Sequence, residues 1–166
     1  MAEKYGVISS LEPLKKGDTF EVFPLHVTLM TWFDIPNEAV FLNQLYNFAH
    51  RFSSQNVVGG QEAQFGVNND VRVRTLGRAG SLHAMHEELF DMIKTQNGEV
   101  WHGGFVGADY VPHVTYQNNR GLEQDEAANL DRIQLIRGDE TGPRLVVADL
   151  GLRKKSRTVS NHETTT

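Results

Sequence analysis

The chain has 166 residues, a length typical of one domain that can bury a core of its own. Its content of 39% hydrophobic and 22% charged residues is typical of a globular protein. Its net charge of -5 argues against broad binding to duplex nucleic acid, because such binding needs many Lys and Arg contacts to phosphates. The absence of cysteine excludes disulfides, thiolate metal sites and cysteine nucleophiles. Since no apolar run approaches a signal peptide or a membrane span, we expect a cytoplasmic monomer with no membrane partner.

In the first half of the chain, the hydrophobic pattern predicts two strands and a helix. A short apolar run at residues 5–9 favours a first strand, and the polar residues 10–19, with a proline and a glycine, favour a loop. The main strand is predicted at residues 25–33. A helix is predicted over residues 37–53, because proline and acidic residues stand at its start and apolar residues recur at helical spacing: Phe41, Leu45, Phe48 and Phe52.

The second half of the chain begins with a predicted hairpin and a second helix. Strands at 57–67 and 70–76 flank an Asn-Asn-Asp cluster that fits a tight turn. A helix is predicted over residues 81–96, with Ser81 as its N-cap and an Asn-Gly pair at its end. Its two histidines, His83 and His86, are interpreted as incidental surface residues.

After the second helix, the pattern returns to strands. Residues 100–110, with three glycines, are predicted to form a loop, and a strand is predicted at 112–118. A polar, acidic stretch with no strand prediction follows, and residues 130–137 and 144–152 form a predicted hairpin. The polar end of the chain, residues 154–166, is predicted to be a flexible tail.

This order of elements predicts an α+β fold. Each helix lies between groups of strands, which suggests two similar β/α lobes whose antiparallel sheets form a central cleft. Because each half is too short to fold alone, residues 1–153 are expected to form a single bilobal domain.

Two of the predicted strands carry the same polar pattern. Residues 26–29 read His-Val-Thr-Leu and residues 113–116 read His-Val-Thr-Tyr, each after an apolar stretch with a proline. In a strand, residues i and i+2 share a face, so each triplet presents an imidazole beside a hydroxyl while its valine points the other way. Two such pairs facing each other would supply a general base, a general acid and two hydroxyl donors for phosphodiester chemistry.

A single His-x-Thr triplet is weak evidence for a site. The sequence His162-Glu163-Thr164 has the same pattern in the polar tail, where no strand is predicted. One histidine in a strand is more often a structural residue than a catalytic one. Two copies in matching strands, one in each half of the chain, favour the catalytic interpretation.

The paired motifs resemble those of the two-histidine phosphoesterase superfamily, which includes the 2′-5′ RNA ligase-like proteins and the cyclic nucleotide phosphodiesterases. The resemblance covers roughly residues 4–153 and includes Pro112 immediately before the second motif. The interval at residues 10–24 departs from the ligase-like group, in which a helix is common at this place. This departure concerns the subfamily and leaves the pairing of the motifs unchanged.

The resemblance implies a metal-independent phosphodiesterase that hydrolyses a 2′,3′-cyclic phosphate or a related cyclic or 2′-5′ linked nucleotide. His26 and His113 would act as general base and general acid, in roles that the sequence does not assign. Thr28 and Thr115 would donate hydrogen bonds to the phosphate oxygens. No metal and no cofactor is expected, and the expected partner is a small nucleotide or an RNA end.

Further substrate contacts are predicted around the motifs. Trp32 shares the strand face of the first motif and is a candidate for base stacking, with a core or rim role as the alternative. Tyr110, before the second motif, is a similar candidate. Lys15 and Lys16 precede the first motif and are either a phosphate-attracting pair or solvated loop charges. Arg74 lies on an alternating strand, where it forms either a positive wall of the cleft or a solvated face.

Two other functions stay open at the level of the sequence. Within the same class, the substrate could be a cyclic di- or oligonucleotide signal. In a different class, the chain could be a non-catalytic RNA-binding module. Such modules need a sheet face with aromatic and basic residues, and no such strand motif is evident in the sequence.

Overall fold

The computed structural model describes residues 3–101 and 106–154. Within these ranges the chain forms ten strands, two α-helices and a short 3-10 helix. In chain order these are β1 (Lys4–Ser10), β2 (Thr19–Phe20), β3 (His26–Asp34), α1 (Glu38–Arg51), β4 (Gln55–Phe65), β5 (Val71–Gly77), α2 (Gly80–Thr95), β6 (Glu99–Val100), the 3-10 helix (Gly107–Asp109), β7 (His113–Thr115), β8 (Ala127–Leu130), β9 (Arg132–Gly138) and β10 (Arg144–Gly151).

The strands form one open, antiparallel sheet. Its order is β2-β10-β9-β1-β3-β7-β5-β4-β8, and β6 pairs with the end of β3. Strand β3 from the first half and strand β7 from the second half are neighbours near its centre. The α+β fold is therefore confirmed, and the two predicted lobes share a single continuous sheet.

Both predicted helices are present, with one correction at a helix start. Helix α1 begins after Asn37, whose side chain accepts a hydrogen bond from the amide of Val40 at 3.1 Å, as expected for an N-cap. Helix α2 begins one residue earlier than predicted, so the prediction of Ser81 as its cap is wrong. The N-cap is Ala79, whose carbonyl accepts the amide of Leu82, and no side chain caps this end.

The two helices contribute to one core on one face of the sheet. Because side chains alternate along a strand, Val7 of β1 joins this core whereas its neighbour Ile8 lies on the opposite face. The buried helix residues in this core are Phe41, Leu45, Phe48, Leu82, Met85, Leu89 and Ile93. The opposite face has a smaller apolar cluster formed by Ile8, Ile136 and Val146, with Leu14, Phe20, Phe23 and Trp32 packed against it.

Both predicted hairpins are confirmed, and three strands were not predicted: β8 and the two-residue strands β2 and β6. Asn69 has φ 53° in the turn between β4 and β5, a left-handed conformation that asparagine tolerates, and Gly142 has φ 88° between β9 and β10. The longest of the three is β8, which lies partly in the polar stretch after the second motif. It pairs with β4 over residues 127–130, far from it in the chain. Two of its four residues are exposed, so it gives no strong hydrophobic signal.

Some predictions concern parts of the chain beyond the described residues. Apart from Lys154, the predicted tail at 154–166 lies outside them, as does the third triplet at 162–164. Four residues of the predicted loop at 100–110 also lie outside. Among the helices that are described, none is long and apolar enough to cross a bilayer.

Candidate active site

The two motif strands lie side by side, and their register brings the motifs together. In the antiparallel ladder between β3 and β7, the valines of the two motifs pair with each other, and both are completely buried in the core. His26 is therefore opposite Thr115 on the face away from the helices. Thr28 is opposite His113 on the same face. The two histidines occupy diagonal positions, and the Cα atoms of such diagonal neighbours are about 7–8 Å apart.

Both imidazoles are held by the same local hydrogen bond. Nδ1 of His26 lies 2.7 Å from the carbonyl oxygen of Pro24, and Nδ1 of His113 lies 2.7 Å from that of Val111. A carbonyl oxygen only accepts, so each Nδ1 carries the proton. Nε2 is therefore the basic nitrogen of each neutral ring and the atom through which each histidine can accept or donate a proton.

Each motif histidine also has a phenylalanine ring against it. The ring centroids of Phe23 and His26 are 4.8 Å apart, and those of Phe65 and His113 are also 4.8 Å apart. Phe23 comes from the loop before β3, whereas Phe65 ends β4. Neither contact was predicted from the sequence. Phe65 reaches the second motif only through the pairing of β4 with β5 and of β5 with β7.

Burial lowers the pKa of both motif histidines below its ordinary value. For His26 the largest cause is desolvation, which the hydrogen bond to Pro24 opposes and the charge of a protonated His113 reinforces. For His113 desolvation is again the largest cause, opposed by the hydrogen bond to Val111. The aromatic surroundings therefore favour neutral rings, and a proton on one ring disfavours a proton on the other.

Two cavities meet at the motif residues. One, of about 120 Å³, is bordered by His26, Thr28 and Trp32. The other, of about 220 Å³, is bordered by Thr28, His113 and Tyr110. A larger depression of about 520 Å³ lies between residues 10–14 and the segment 121–132, which includes β8, and neither histidine borders it. Within residues 3–101 and 106–154, no three possible metal-ligating side chains form a cluster.

Trp32 borders the same cavity as the first motif, as the alternation along β3 predicts. Two irregularities in the pairing of β3 with β1 fall between Thr28 and Phe33. Between them Met30 is buried in the main core, whereas Trp32 lies again on the face of the first motif. The indole is half-buried, and its ring centroid is 6.3 Å from that of Phe23. Its contact with a base stays a prediction.

Tyr110 reaches the first motif through its hydroxyl, which donates to the carbonyl oxygen of Thr28 at 2.8 Å. Burial raises the pKa of Tyr110 well above its ordinary value, so the phenol remains a donor. Its ring stacks on His86, with centroids 4.1 Å apart and planes 2° apart. The interpretation of His86 as a surface residue is wrong, because its side chain on α2 is buried between the sheet and the segment that leads to the second motif.

Lys15 and Lys16 lie in an exposed turn at the edge of the sheet. The amide of Lys15 donates to the carboxylate of Asp18 at 2.8 Å, and the amide of Gly17 donates to the carbonyl of Val146. Lys16 borders a depression formed with residues of α1 and β10, on the side of the sheet that the helices cover. The turn does not bring Lys16 to the histidines, and a phosphate contact of Lys15 stays a prediction.

Arg74 forms neither of the two predicted alternatives, a positive wall of the cleft or a solvated face. In the register of β5 with β7 it pairs with Val114, whose side chain points away from the motif histidines. Its buried guanidinium donates to the carbonyls of Leu122 and Gly60 and to the hydroxyl of Tyr116. The physical reason for the correction is this set of internal hydrogen bonds, through which Arg74 holds the loop after the second motif.

Arg144, which the sequence did not indicate, lies beside the first motif. Its guanidinium is 4.7 Å from the ring centroid of Phe23, the ring that contacts His26. It donates to the backbone carbonyls of Glu21, Asp139 and Glu140. These bonds fix the loop that carries Phe23 and place a positive charge behind the aromatic wall of the site.

Comparison with solved structures shows which fold this is. The chain aligns over 93% of its length with 100% of a protein described as a phosphoesterase, with a TM-score of 0.58 and 12% identity. It aligns over 92% of its length with 99% of E. coli LigT, solved in complex with 3′-AMP, with a TM-score of 0.56 and 12% identity. No family model and no curated protein matches the sequence itself. The resemblance indicated by the two motifs is thus confirmed at the level of the fold, which the chain shares with these two proteins.

Proposed function

We propose that the chain is a metal-independent phosphodiesterase that hydrolyses a 2′,3′-cyclic phosphate or a related cyclic or 2′-5′ linked nucleotide. The observation that carries the proposal is the pairing of β3 with β7, which sets two imidazoles and two threonine side chains on one face of the sheet. The phosphoesterase fold of the solved neighbours supports the same class of reaction.

The reaction needs one base and one acid, and His26 and His113 supply them. Nε2 of one histidine takes a proton from water as the water oxygen forms a bond to phosphorus. Nε2 of the other histidine gives its proton to the departing ribose oxygen as the bond between that oxygen and phosphorus breaks. The product is a phosphomonoester, and the two histidines have exchanged protonation states, which proton transfer with solvent restores.

Thr28 and Thr115 supply hydrogen bonds to the phosphate. Each is opposite a histidine in the ladder, so a phosphate placed between the imidazoles also lies beside both hydroxyls. Donors that are already oriented stabilise the charge that develops on the non-bridging oxygens. The phenylalanine rings against the histidines exclude water, which strengthens these interactions.

Trp32 is the residue that we propose to contact the base. It borders the cavity of the first motif and is only half-buried, so its indole offers an accessible flat surface. The 3′-AMP in the LigT structure is a nucleoside monophosphate, the class of product that forms when a 2′,3′-cyclic phosphate opens.

A substrate panel followed by ³¹P NMR tests the proposal. The panel compares 2′,3′-cyclic AMP, a 2′-5′ linked dinucleotide and a cyclic dinucleotide, each with and without EDTA. His26→Asn and His113→Asn should each lower kcat on the order of 10³-fold. Thr28→Val and Thr115→Val, which keep the side-chain shape, should each lower it on the order of 10²-fold. The control is His50→Asn on the exposed side of α1. Full activity in both motif variants would contradict the assignment.

One observation favours the RNA-binding alternative as a second candidate. Three aromatic side chains, Phe23, Trp32 and Phe65, lie on the same sheet face as the histidines, and aromatic residues on a sheet are a common platform for stacked bases. The double variant His26→Asn/His113→Asn separates the two functions. Single-stranded RNA binding that survives in this variant, with no hydrolysis of any diester by the wild-type protein, would favour the binding module.

A further inference from the structure

The contact between the two motif strands is short. β7 contains only residues 113–115, and a single pair, Val27 with Val114, registers it against β3. One pair fixes which residues are opposite each other, but it restrains the angle between β7 and β3 only weakly. Paired catalysis by two diagonal histidines needs that geometry to be held within a fraction of an ångström.

His86 on α2 connects β3 with the 3-10 helix that precedes β7. Its Nδ1 lies 2.7 Å from the carbonyl oxygen of Leu29 in β3, and its Nε2 accepts the amide of Gly107 at 2.9 Å. The two hydrogen bonds require the neutral ring with the proton on Nδ1. Desolvation lowers the pKa of His86, which stabilises this neutral form, and the side chain is 1% exposed.

Tyr110 makes the second connection. It follows the 3-10 helix that begins at Gly107 and lies three residues before the second motif histidine. Its ring lies flat on the ring of His86, and its hydroxyl donates to the carbonyl oxygen of Thr28. Two consecutive residues of β3, Thr28 and Leu29, are thus bonded to this stacked pair through their carbonyl groups.

From these contacts we propose that His86 and Tyr110 are a positioning pair, which sets the distance and angle between the His26 and His113 motifs. The inference rests on the proposed phosphodiesterase function for its effect on rate. Neither residue is a catalytic group, because the hydroxyl of Tyr110 and both ring nitrogens of His86 are used in bonds to the backbone. Tyr110 therefore acts on the reaction through Thr28 and the second motif.

The matched pair of variants is Tyr110→Phe and Tyr5→Phe. Tyr5 is also a buried tyrosine, 5% exposed, and its hydroxyl donates to Glu38 at 3.0 Å on the helix side of the sheet. Each variant removes one internal hydroxyl and keeps the ring. Tyr5 loses a bond to a carboxylate and Tyr110 one to a neutral carbonyl, so Tyr5→Phe should lower the melting temperature at least as much as Tyr110→Phe. A loss of activity confined to Tyr110→Phe would therefore not be a stability effect.

The two variants should differ in catalysis. With 2′,3′-cyclic AMP, Tyr110→Phe should lower kcat about 10-fold or more with little change in KM, because the substrate still binds but the two histidines are misplaced. Tyr5→Phe should leave both constants unchanged. His86→Gln, whose amide can still donate and accept, should retain more activity than His86→Leu. A kcat for Tyr110→Phe equal to that of the wild type would overturn the inference.

A second readout needs no substrate and separates the inference from the proposed function. The imidazole ¹H and ¹⁵N resonances of His26 and His113 report their surroundings and titration directly. Tyr110→Phe should shift both sets of resonances and both titration curves, whereas Tyr5→Phe should leave them in place. Unchanged resonances in Tyr110→Phe overturn the positioning role even if no diester is hydrolysed. Shifted resonances with no hydrolysis by the wild-type protein would instead overturn the proposed function alone.

Discussion

Val27 and Val114 lie directly opposite each other in the sheet, and neither side chain is exposed to solvent. Burial of this pair turns the residues on either side of each valine to the other face of the sheet. A slip of one residue between the strands would place imidazoles and hydroxyls in the apolar core. The hydrophobic effect on two valines therefore holds four polar groups in the candidate site.

Truncation of one of these valines should lower both stability and activity. We expect Val114→Ala to reduce the free energy of unfolding by about 1–3 kcal/mol, because it removes buried methyl groups and leaves a cavity. Urea unfolding followed by circular dichroism measures this loss. The control is Val22→Ala, since Val22 is 73% exposed and its truncation should change the stability by less than about 0.5 kcal/mol. Equal stability of the two variants would argue against a tightly packed pair.

The phenylalanine rings should control the pKa of the histidines one by one. In Phe23→Leu the imidazole of His26 is more hydrated, so its lowered pKa should rise toward the ordinary value, with no matching change at His113. In Phe65→Leu the pKa of His113 should rise instead. NMR titration of the imidazoles measures both values. Phe90→Leu on α2 is the control, and a pKa change at both histidines in every variant would contradict local shielding.

The pH dependence of kcat/KM should reflect the lowered pKa of both histidines. The base must be neutral and the acid protonated, so the rate rises with pH through one pKa and falls through the other. Because desolvation places both values in the free protein below 6.5, the optimum of kcat/KM should lie on the acidic side of that pH. Initial rates between about pH 5 and 8 test this. An optimum above about pH 7 would show that at least one of the two histidine pKa values is not lowered in the free protein.

The optimum of kcat should lie at higher pH than that of kcat/KM. A bound phosphodiester carries a negative charge beside both imidazoles, which favours their protonated forms and raises each pKa in the complex. The same series of rates, measured at saturating substrate, gives this comparison. Coincident profiles would indicate that the phosphate is not placed between the two rings.

Stability should fall as the pH falls below 6.5. His26, His86 and His113 each have a folded-state pKa below the ordinary value of 6.5, so the unfolded chain binds more protons in this range than the folded chain. The stability present above pH 6.5 is therefore lost on acidification. The carboxyl group of Glu12, whose pKa is held below 4.5 mainly by Arg120, contributes at lower pH.

Urea titrations at a series of pH values measure this loss. Each histidine with a lowered pKa adds to the slope of stability against pH, so His26→Asn should have a shallower slope than the wild type between pH 6.5 and about pH 5. His50→Asn, in which an exposed histidine is replaced, should keep the wild-type slope. A wild-type stability that does not change over this range would contradict the lowered values.

The sequence by itself determined both helices, seven of the ten described strands and the two halves of the site. Hydrophobic spacing predicts both helices, and the alternation within each triplet shows that a valine faces the core while its histidine and threonine share the other face. These are local properties, since the geometry of a strand or helix relates residues only a few positions apart. A helix start is also predicted from local signals, and here the predicted start differs from the observed one by a single residue.

Only the tertiary structure decided which residues complete the site. Phe65 comes from the β4–β5 hairpin, Arg144 from β10 and His86 from α2, and no local pattern relates them to the motif histidines. The same limit explains why the position of Arg74 was not predicted. The alternation along its own strand does not show which face of the sheet its side chain lies on. The register of β5 against β7 turned it away from the cleft. Strand register depends on the burial of residues far apart in the chain, so it is fixed only when the whole sheet forms.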